Sequence, residues 1–191
     1  MSLLGSGLDF CRWLLINSKM FTVLMVTEAV ILLVAKWPNQ MLFGAYAFGD
    51  QGANLVADRL LVEGWRPGID FNYLYGLIPL LVGRIVFGLF GCTPLVYAIS
   101  TSVLFVGLAL VLARTALALN APIIGRVFLI TALTIAISLV PPSNFAHVIE
   151  ALLLASAVYW QVRGKDRWAL AAATAAVLTK PALGYVFGLI L

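Results

Sequence analysis

The sequence predicts an all-α integral membrane protein with about five transmembrane helices and a long first outer loop that carries short juxtamembrane helices. Three observations predict this class. Of the 191 residues, 63% are hydrophobic and only 10% are charged, and the mean hydropathy is +1.05. Several apolar runs approach the ~20 residues that cross ~30 Å of hydrocarbon, and an open chain crosses lipid only as helices. Segment 48–76 holds half of the eight acidic residues, namely Asp50, Asp58, Glu63 and Asp70.

The basic residues predict the topology. If the apolar run 72–91, which contains Pro79 and Arg84, crossed the membrane, most basic loops would face outward, against the positive-inside bias. If 72–91 lies in the outer interface, one side holds Arg12, Lys19, Arg114, Arg126, Arg163, Lys165 and Arg167. The sequence therefore predicts transmembrane helices at 20–36, 94–113, 121–140, 147–162 and 168–191.

The loop 37–93 is predicted to carry two short helices, at 51–63 and 72–91. Asp50 is placed to cap the first by accepting from free backbone N–H groups, and Gly64 is a favoured stop. We expect residues 1–191 to form a single membrane domain. The last apolar run reaches Leu191 with no polar end, so we expect the chain to be the N-terminal part of a longer protein.

Composition and motifs argue against several function classes. The net charge of +4 comes from scattered basic residues, as a topology signal would, so no nucleic-acid partner is expected. The sequence has no phosphate-cradling P-loop, no Cys/His zinc spacing and no nucleophile elbow. Nucleotide-driven chemistry is therefore not expected.

An ordered set of short motifs runs through most of the chain. The first predicted helix leads to Phe48-Gly49-Asp50, then to the amphipathic segment ADRLLVEG and to Gly64-Trp65-Arg66-Pro67-Gly68-Ile69-Asp70-Phe71. An interfacial helix ends in Leu89-Phe90-Gly91, and Thr179-Lys180-Pro181 follows in a later helix. This order resembles the polytopic GT-C fold glycosyltransferases of the mannosyl and arabinosyl type, which use polyprenyl-phosphate-linked sugars.

The resemblance implies a transferase in a bacterial inner membrane with its site on the outer face. Its partners would be a polyprenyl-phosphate-linked sugar donor, membrane lipids, and a glycan, lipid or protein acceptor. Asp50 matches the early Asp of the family's first outer loop, which makes it the candidate catalytic base for the acceptor hydroxyl. The alternative role for Asp50 is a helix cap without catalysis.

The other candidate substrate-binding residues are Asp70, Arg66, Arg59, Tyr73, Tyr75, His147 and Lys180. Each has a plainer alternative. Asp70 fits a turn beside an interfacial aromatic belt, and Arg59 fits a pair with Glu63 on a solvated helix face that also carries Asp58. Arg66 and Arg84 could bind a lipid phosphate or extend to lipid headgroups.

Charged residues within the predicted helices leave the class of function open. Glu28, Glu150 and Lys180 lie within predicted helices, where charge is costly, so each should face protein or a watery cavity. His147 and Glu150 share a helix face, but no third metal ligand is identifiable, so a hydrogen-bonded histidine in the outer turn is the plainer interpretation of His147. A divalent cation stays a possible cofactor. The alternative functions are a small transporter or flippase-like protein with these charges lining its path, and a non-catalytic assembly subunit.

Overall fold

The computed structural model describes residues 13–42, 50–73, 75–139 and 145–180 and, within these ranges, every side chain except those of 36–42 and 50–51. After a helical turn at residues 13–16, the described residues form seven longer α-helices and contain no β-strand, which confirms the all-α prediction for them. The helices are α1 (Ser18–Leu42), α2 (Asp50–Val62), α3 (Leu77–Phe90), α4 (Pro94–Ala118), α5 (Ile123–Leu139), α6 (Phe145–Val162) and α7 (Asp166–Thr179).

Three helical stretches are long and apolar enough to cross a membrane, namely Ser18–Ala35, Pro94–Ala118 and Phe145–Val162. Helix α3 has 14 residues and extends about 21 Å, less than the ~30 Å of a hydrocarbon core. Helix α5 is also apolar but has 17 residues. The part of the predicted span 168–191 beyond Lys180 lies outside the described residues, as does the turn at 141–144.

The main difference from the predicted loop helices is the start of α3. Helix α3 begins at Leu77 rather than at 72, because the backbone of Gly76 is extended and its N–H donates to Thr179 O at 2.8 Å. Pro79 then falls in the first helical turn, where its missing N–H costs no hydrogen bond. Helix α2 ends close to the predicted stop, because Gly64 adopts φ +88° and its N–H donates to Leu61 O.

The core is a seam between α1, α4 and α5. Helix α1 contributes one buried side chain per turn, namely Phe21, Met25, Ala29 and Leu33. Helix α4 faces this stripe with Phe105, Ala109, Ala113 and Ala116, and α5 adds Leu133 and Ile137. Small residues let helices approach closely, which is how packing holds helices together in lipid. Helix α6 then packs between α4 and α7.

The bundle has two different ends, one with the short loop helices and the other with a group of basic residues. At one end, here called the loop end, α1, α5 and α7 finish, α4 and α6 begin, and α2 and α3 pack. The Phe145 N–H, for example, donates to the Tyr97 hydroxyl at 2.8 Å, which joins the starts of α6 and α4. At the other end, here called the basic end, the Arg126 guanidinium binds the carbonyls of Leu15 and Ile16. The α6–α7 turn brings Arg163, Lys165 and Arg167 to the same end.

Candidate functional site

Polar side chains from five segments meet at the loop end. We call this group the loop-end cluster. It consists of Asn54 and Asp58 from α2, Tyr73 and Tyr75 from the following loop, Arg84 from α3, His147 and Glu150 from α6, and Lys180 after α7.

The first part of the cluster is a buried carboxylate. Asp58 is 4% exposed, and its Oδ1 lies 3.6 Å from the Arg84 guanidinium, too far for a hydrogen bond. That oxygen has no hydrogen-bond partner among the described residues. Burial raises the pKa of the neighbouring Cys92 thiol, and the charge of Asp58 raises it further. The position of Asp58 on a solvated helix face was therefore predicted wrongly, because α3 covers this face of α2.

The second part is a buried phenol that links α2 to the loop. The Tyr73 hydroxyl donates to Asn54 Oδ1 at 2.6 Å. Burial raises the pKa of Tyr73 well above its usual range, and the nearby Tyr75 adds to this, so the hydroxyl stays a donor. Asn54, Asp58 and Tyr73 line one small cavity, closed by Phe87 and Phe145, with room for about one water molecule.

The third part surrounds the histidine. His147 Nδ1 lies 3.6 Å from Glu150 Oε2 on its own helix and 3.5 Å from Lys180 Nζ across the bundle. The Tyr75 ring meets the imidazole edge to face, with ring centroids 5.8 Å apart, and Tyr73 packs on Tyr75 at 5.6 Å. A carboxylate, an imidazole and an ammonium group thus lie together beside two aromatic rings.

Gly76 fixes the loop to the end of α7. Its N–H donates to the Thr179 carbonyl, and a Cβ added at this position would overlap the carbonyl oxygen of Leu178. Only glycine allows the two backbones to approach this closely. The contact joins the loop that carries Tyr75 to the end of α7 that carries Lys180, and both of these residues contact His147.

An apolar groove of about 540 Å³ adjoins the cluster between α3 and α4. Its lining residues are Val82, Val86 and Phe90 from α3, Val96, Ile99, Ser100, Val103 and Leu104 from α4, and Phe145 from α6. Phe145 also borders the small cavity beside Asp58, so the groove and this part of the cluster share one lining side chain.

Some of the predicted site residues lie in the loop-end cluster and others do not. Tyr73, Tyr75, His147 and Lys180 come together in the cluster. The remaining described candidates form local pairs on the surface, in which Arg59 binds Glu63 at 3.1 Å and Arg66 binds Asp70 at 3.0 Å. The Arg66 side chain and N–H hold the pKa of Asp70 below its usual range. Asp50 is the first residue of α2, one turn before Asn54, and its side chain lies outside the described atoms.

Sequence reasoning did not single out Asn54 or Gly76, and it placed Asp58 on a solvated helix face. It considered Arg84 only for a lipid phosphate or headgroup, and Glu150 only as a charge within a helix beside His147. A signal for two of them was present, because Asn54 and Asp58 are four residues apart and therefore share one face of α2. Among the described residues, no three His, Cys, Asp or Glu side chains are placed to hold a metal ion together.

The Asp58–Arg84 contact gives a stability prediction. Arg84→Ala leaves a buried carboxylate without its counter-charge, so we expect a loss of about 1–3 kcal/mol in the free energy of unfolding. The matched control is Arg59→Ala on α2, whose side chain is 81% exposed. An exposed pair of this kind contributes about 0.3–0.5 kcal/mol. Denaturant titration of the purified chain in mixed micelles measures both, and equal losses would contradict the structural role of Arg84.

Comparisons of this chain with protein-family models, curated proteins and solved structures gave no match.

Proposed function

We propose that this chain is the membrane module of a GT-C-type glycosyltransferase, which moves a sugar from a polyprenyl-phosphate carrier to an acceptor hydroxyl. The observation that carries the proposal is the contact between the loop-end cluster and the apolar groove. A lipid-linked sugar is a molecule with a charged, hydroxylated head and a long apolar tail, and it needs both surfaces side by side.

The groove suits the tail of such a carrier. Its volume of about 540 Å³ lies within the ~300–1,000 Å³ typical of small-molecule sites. Its described walls are aliphatic and aromatic, and Ser100 is the one polar side chain among the described residues that line it. Because α3 and α4 are the walls, a tail in the groove would stay in contact with lipid while its head reached the cluster.

The cluster suits the head. The ammonium group of Lys180 and the imidazole of His147 lie 3.5 Å apart, and charge-assisted hydrogen bonds from such groups are the strong contacts that phosphate oxygens make. The rings of Tyr73 and Tyr75 offer apolar faces for a sugar to stack on, and the Tyr73 phenol is kept protonated by burial.

Asp50 is the proposed base. It starts α2, the helix that also carries Asn54 and Asp58 of the cluster. A carboxylate there would take the proton of the acceptor hydroxyl as that oxygen attacks the anomeric carbon. The bond from that carbon to the phosphate oxygen breaks, and its electron pair leaves with the carrier phosphate.

The proposed orientation has the loop end on the outer face of a bacterial inner membrane. The support is the charge distribution, because Arg126, Arg163, Lys165 and Arg167 gather at the basic end. The positive-inside bias assigns such an end to the cytoplasm.

The proposal is tested by transfer of radiolabelled sugar in membranes that contain the native chain. Polyprenyl-phosphate mannose and polyprenyl-phosphate arabinose are supplied with a panel of glycan, lipid and peptide acceptors. Transfer above that of membranes lacking the chain supports the proposal. No transfer with any pair, from a chain shown to be folded, would contradict it.

The groove gives a separate prediction. Val103 is 64% exposed and lines the groove, so Val103→Trp should fill it without disturbing the core. We expect the KM for a polyprenyl-phosphate sugar to rise about tenfold with kcat little changed, because the lost contact is equal in ground and transition states. Val23→Trp on α1, at a position 54% exposed, is the control and should leave KM unchanged. Equal effects of the two substitutions would remove the groove from donor binding.

A further inference from the structure

His147 is the one histidine in the sequence, and its surroundings are those of a proton-transfer group. The side chain is 44% exposed, while Glu150 beneath it is 8% exposed. Glu150 Oε1 has no hydrogen-bond partner among the described residues. A carboxylate next to one ring nitrogen helps to fix the orientation of an imidazole.

The structure places groups from three segments against the imidazole. Glu150 on α6 brings a carboxylate, Lys180 after α7 brings an ammonium group, and Tyr75 from the loop brings a neutral ring. A phosphate that binds the Lys180 ammonium group would also lie within reach of the imidazole, because the two nitrogens are 3.5 Å apart.

We propose that His147 is the general acid of the transfer reaction and donates its proton to the phosphate oxygen that leaves the sugar. This inference rests on the proposed function. Asp50 takes one proton from the acceptor hydroxyl, and that hydroxyl oxygen forms a bond to the anomeric carbon of the sugar. At the same time, the bond between the anomeric carbon and the phosphate oxygen breaks. The departing oxygen takes the electron pair of that bond and the proton of the imidazolium.

The chemistry of the leaving group fits an imidazole. A phosphate monoester has a second pKa of about 6 and an ordinary imidazole one of about 6.5. Proton transfer between groups of matched pKa near the working pH is where general acid catalysis is most effective. Glu150 acts as a positioning residue in this scheme, since it contacts the ring and not the phosphate.

Turnover gives the first test. The native chain should lose kcat at alkaline pH as His147 loses its proton. We expect His147→Gln to lower kcat about 100-fold near neutral pH and to remove this alkaline decline. Glu150→Gln should move the decline to lower pH while retaining more activity. An alkaline decline that persists in His147→Gln would overturn the inference, even if the activity fell.

The second test uses the native sequence and needs no turnover. With ¹⁵N-histidine label in nanodiscs, the single imidazole is titrated alone, with farnesyl phosphate, with farnesol and with inorganic phosphate. Farnesyl phosphate should shift the midpoint of protonation to higher pH, and farnesol should not. A shift by inorganic phosphate at equal concentration would assign the site to free phosphate and overturn the lipid-linked assignment.

The two proposals fail in different ways. Farnesyl phosphate that perturbs groove residues but leaves the histidine titration unchanged would overturn the role of His147 alone. Farnesyl phosphate that perturbs neither region, together with no sugar transfer by the native chain, would overturn the proposed transferase as well.

Discussion

Asp50→Asn is expected to abolish sugar transfer, with kcat reduced by about 10²–10⁴-fold, because the amide cannot accept the proton of the acceptor hydroxyl. The substitution separates the two roles considered for this residue. Asparagine is as good a helix cap as aspartate, so α2 should form in the variant. Transfer of radiolabelled sugar from a polyprenyl-phosphate donor measures the effect, with circular dichroism as the check on helix content.

The control for this substitution is Asp166→Asn at the start of α7, an exposed residue at the basic end. It removes one negative charge without touching the cluster, and activity should be retained. Full activity in Asp50→Asn would leave Asp50 as a cap only. The search for the base would then turn to Asp70, the remaining carboxylate beside the aromatic loop.

Gly76→Ala is expected to lower transfer by about 100-fold, since a displacement of about 1 Å at a site can cost that much. The added methyl group would overlap the Leu178 carbonyl, so the loop must move away from α7. Tyr75 would move with it and withdraw from His147. The seam between α1, α4 and α5 is remote from this contact, so the thermal unfolding midpoint should fall only slightly.

Gly88→Ala provides the matched control for Gly76→Ala. Gly88 lies in α3, and a Cβ there would meet nothing within 4 Å. Alanine in a helix is more favourable than glycine by about 0.8–1.0 kcal/mol, so this variant should be at least as stable as the native chain and fully active. If both substitutions had the same effect on transfer, the docking of the loop on α7 would have no bearing on the site.

The sequence predicted the positions of the helices better than the contacts between distant segments. Hydrophobic runs and capping residues are local signals, and they located α2 to within one residue at each end. The start of α3 could not be read in this way. It depends on the hydrogen bond from Gly76 to Thr179, between residues about a hundred positions apart, and no local pattern reports such a contact.

The difference between local signals and long-range contacts also explains which residues of the cluster could be predicted. Tyr73 and Tyr75 could be picked out as candidates from the sequence, because aromatic residues beside an acidic turn form a recognisable motif. Asp58 was placed on the surface because its neighbours Arg59 and Glu63 form an exposed pair, and sequence alone does not show which face α3 covers. The burial of Asp58 results from tertiary packing of α3 on α2, so the sequence alone could not place this residue in the cluster.

The buried charges bear on the transporter alternative. The Thr134 hydroxyl donates to Glu28 within the bundle, whereas Glu150 lies beside His147 at the loop end. The described contacts thus give these two carboxylates different partners in different parts of the chain. A transporter that used both should lose transport in Glu28→Gln, whereas a transferase with its site in the cluster should keep its activity.

The measurement that tests the central claim most directly is photolabelling with a polyprenyl-phosphate sugar that carries a benzophenone in its isoprenoid chain. The account predicts labelled peptides from α3 and α4, at the residues that line the groove, and protection by unlabelled polyprenyl phosphate but far less by polyprenol. Labelling confined to α1 or α5, or equal protection by polyprenol and polyprenyl phosphate, would contradict a site in which the groove holds the tail and the cluster holds the phosphate.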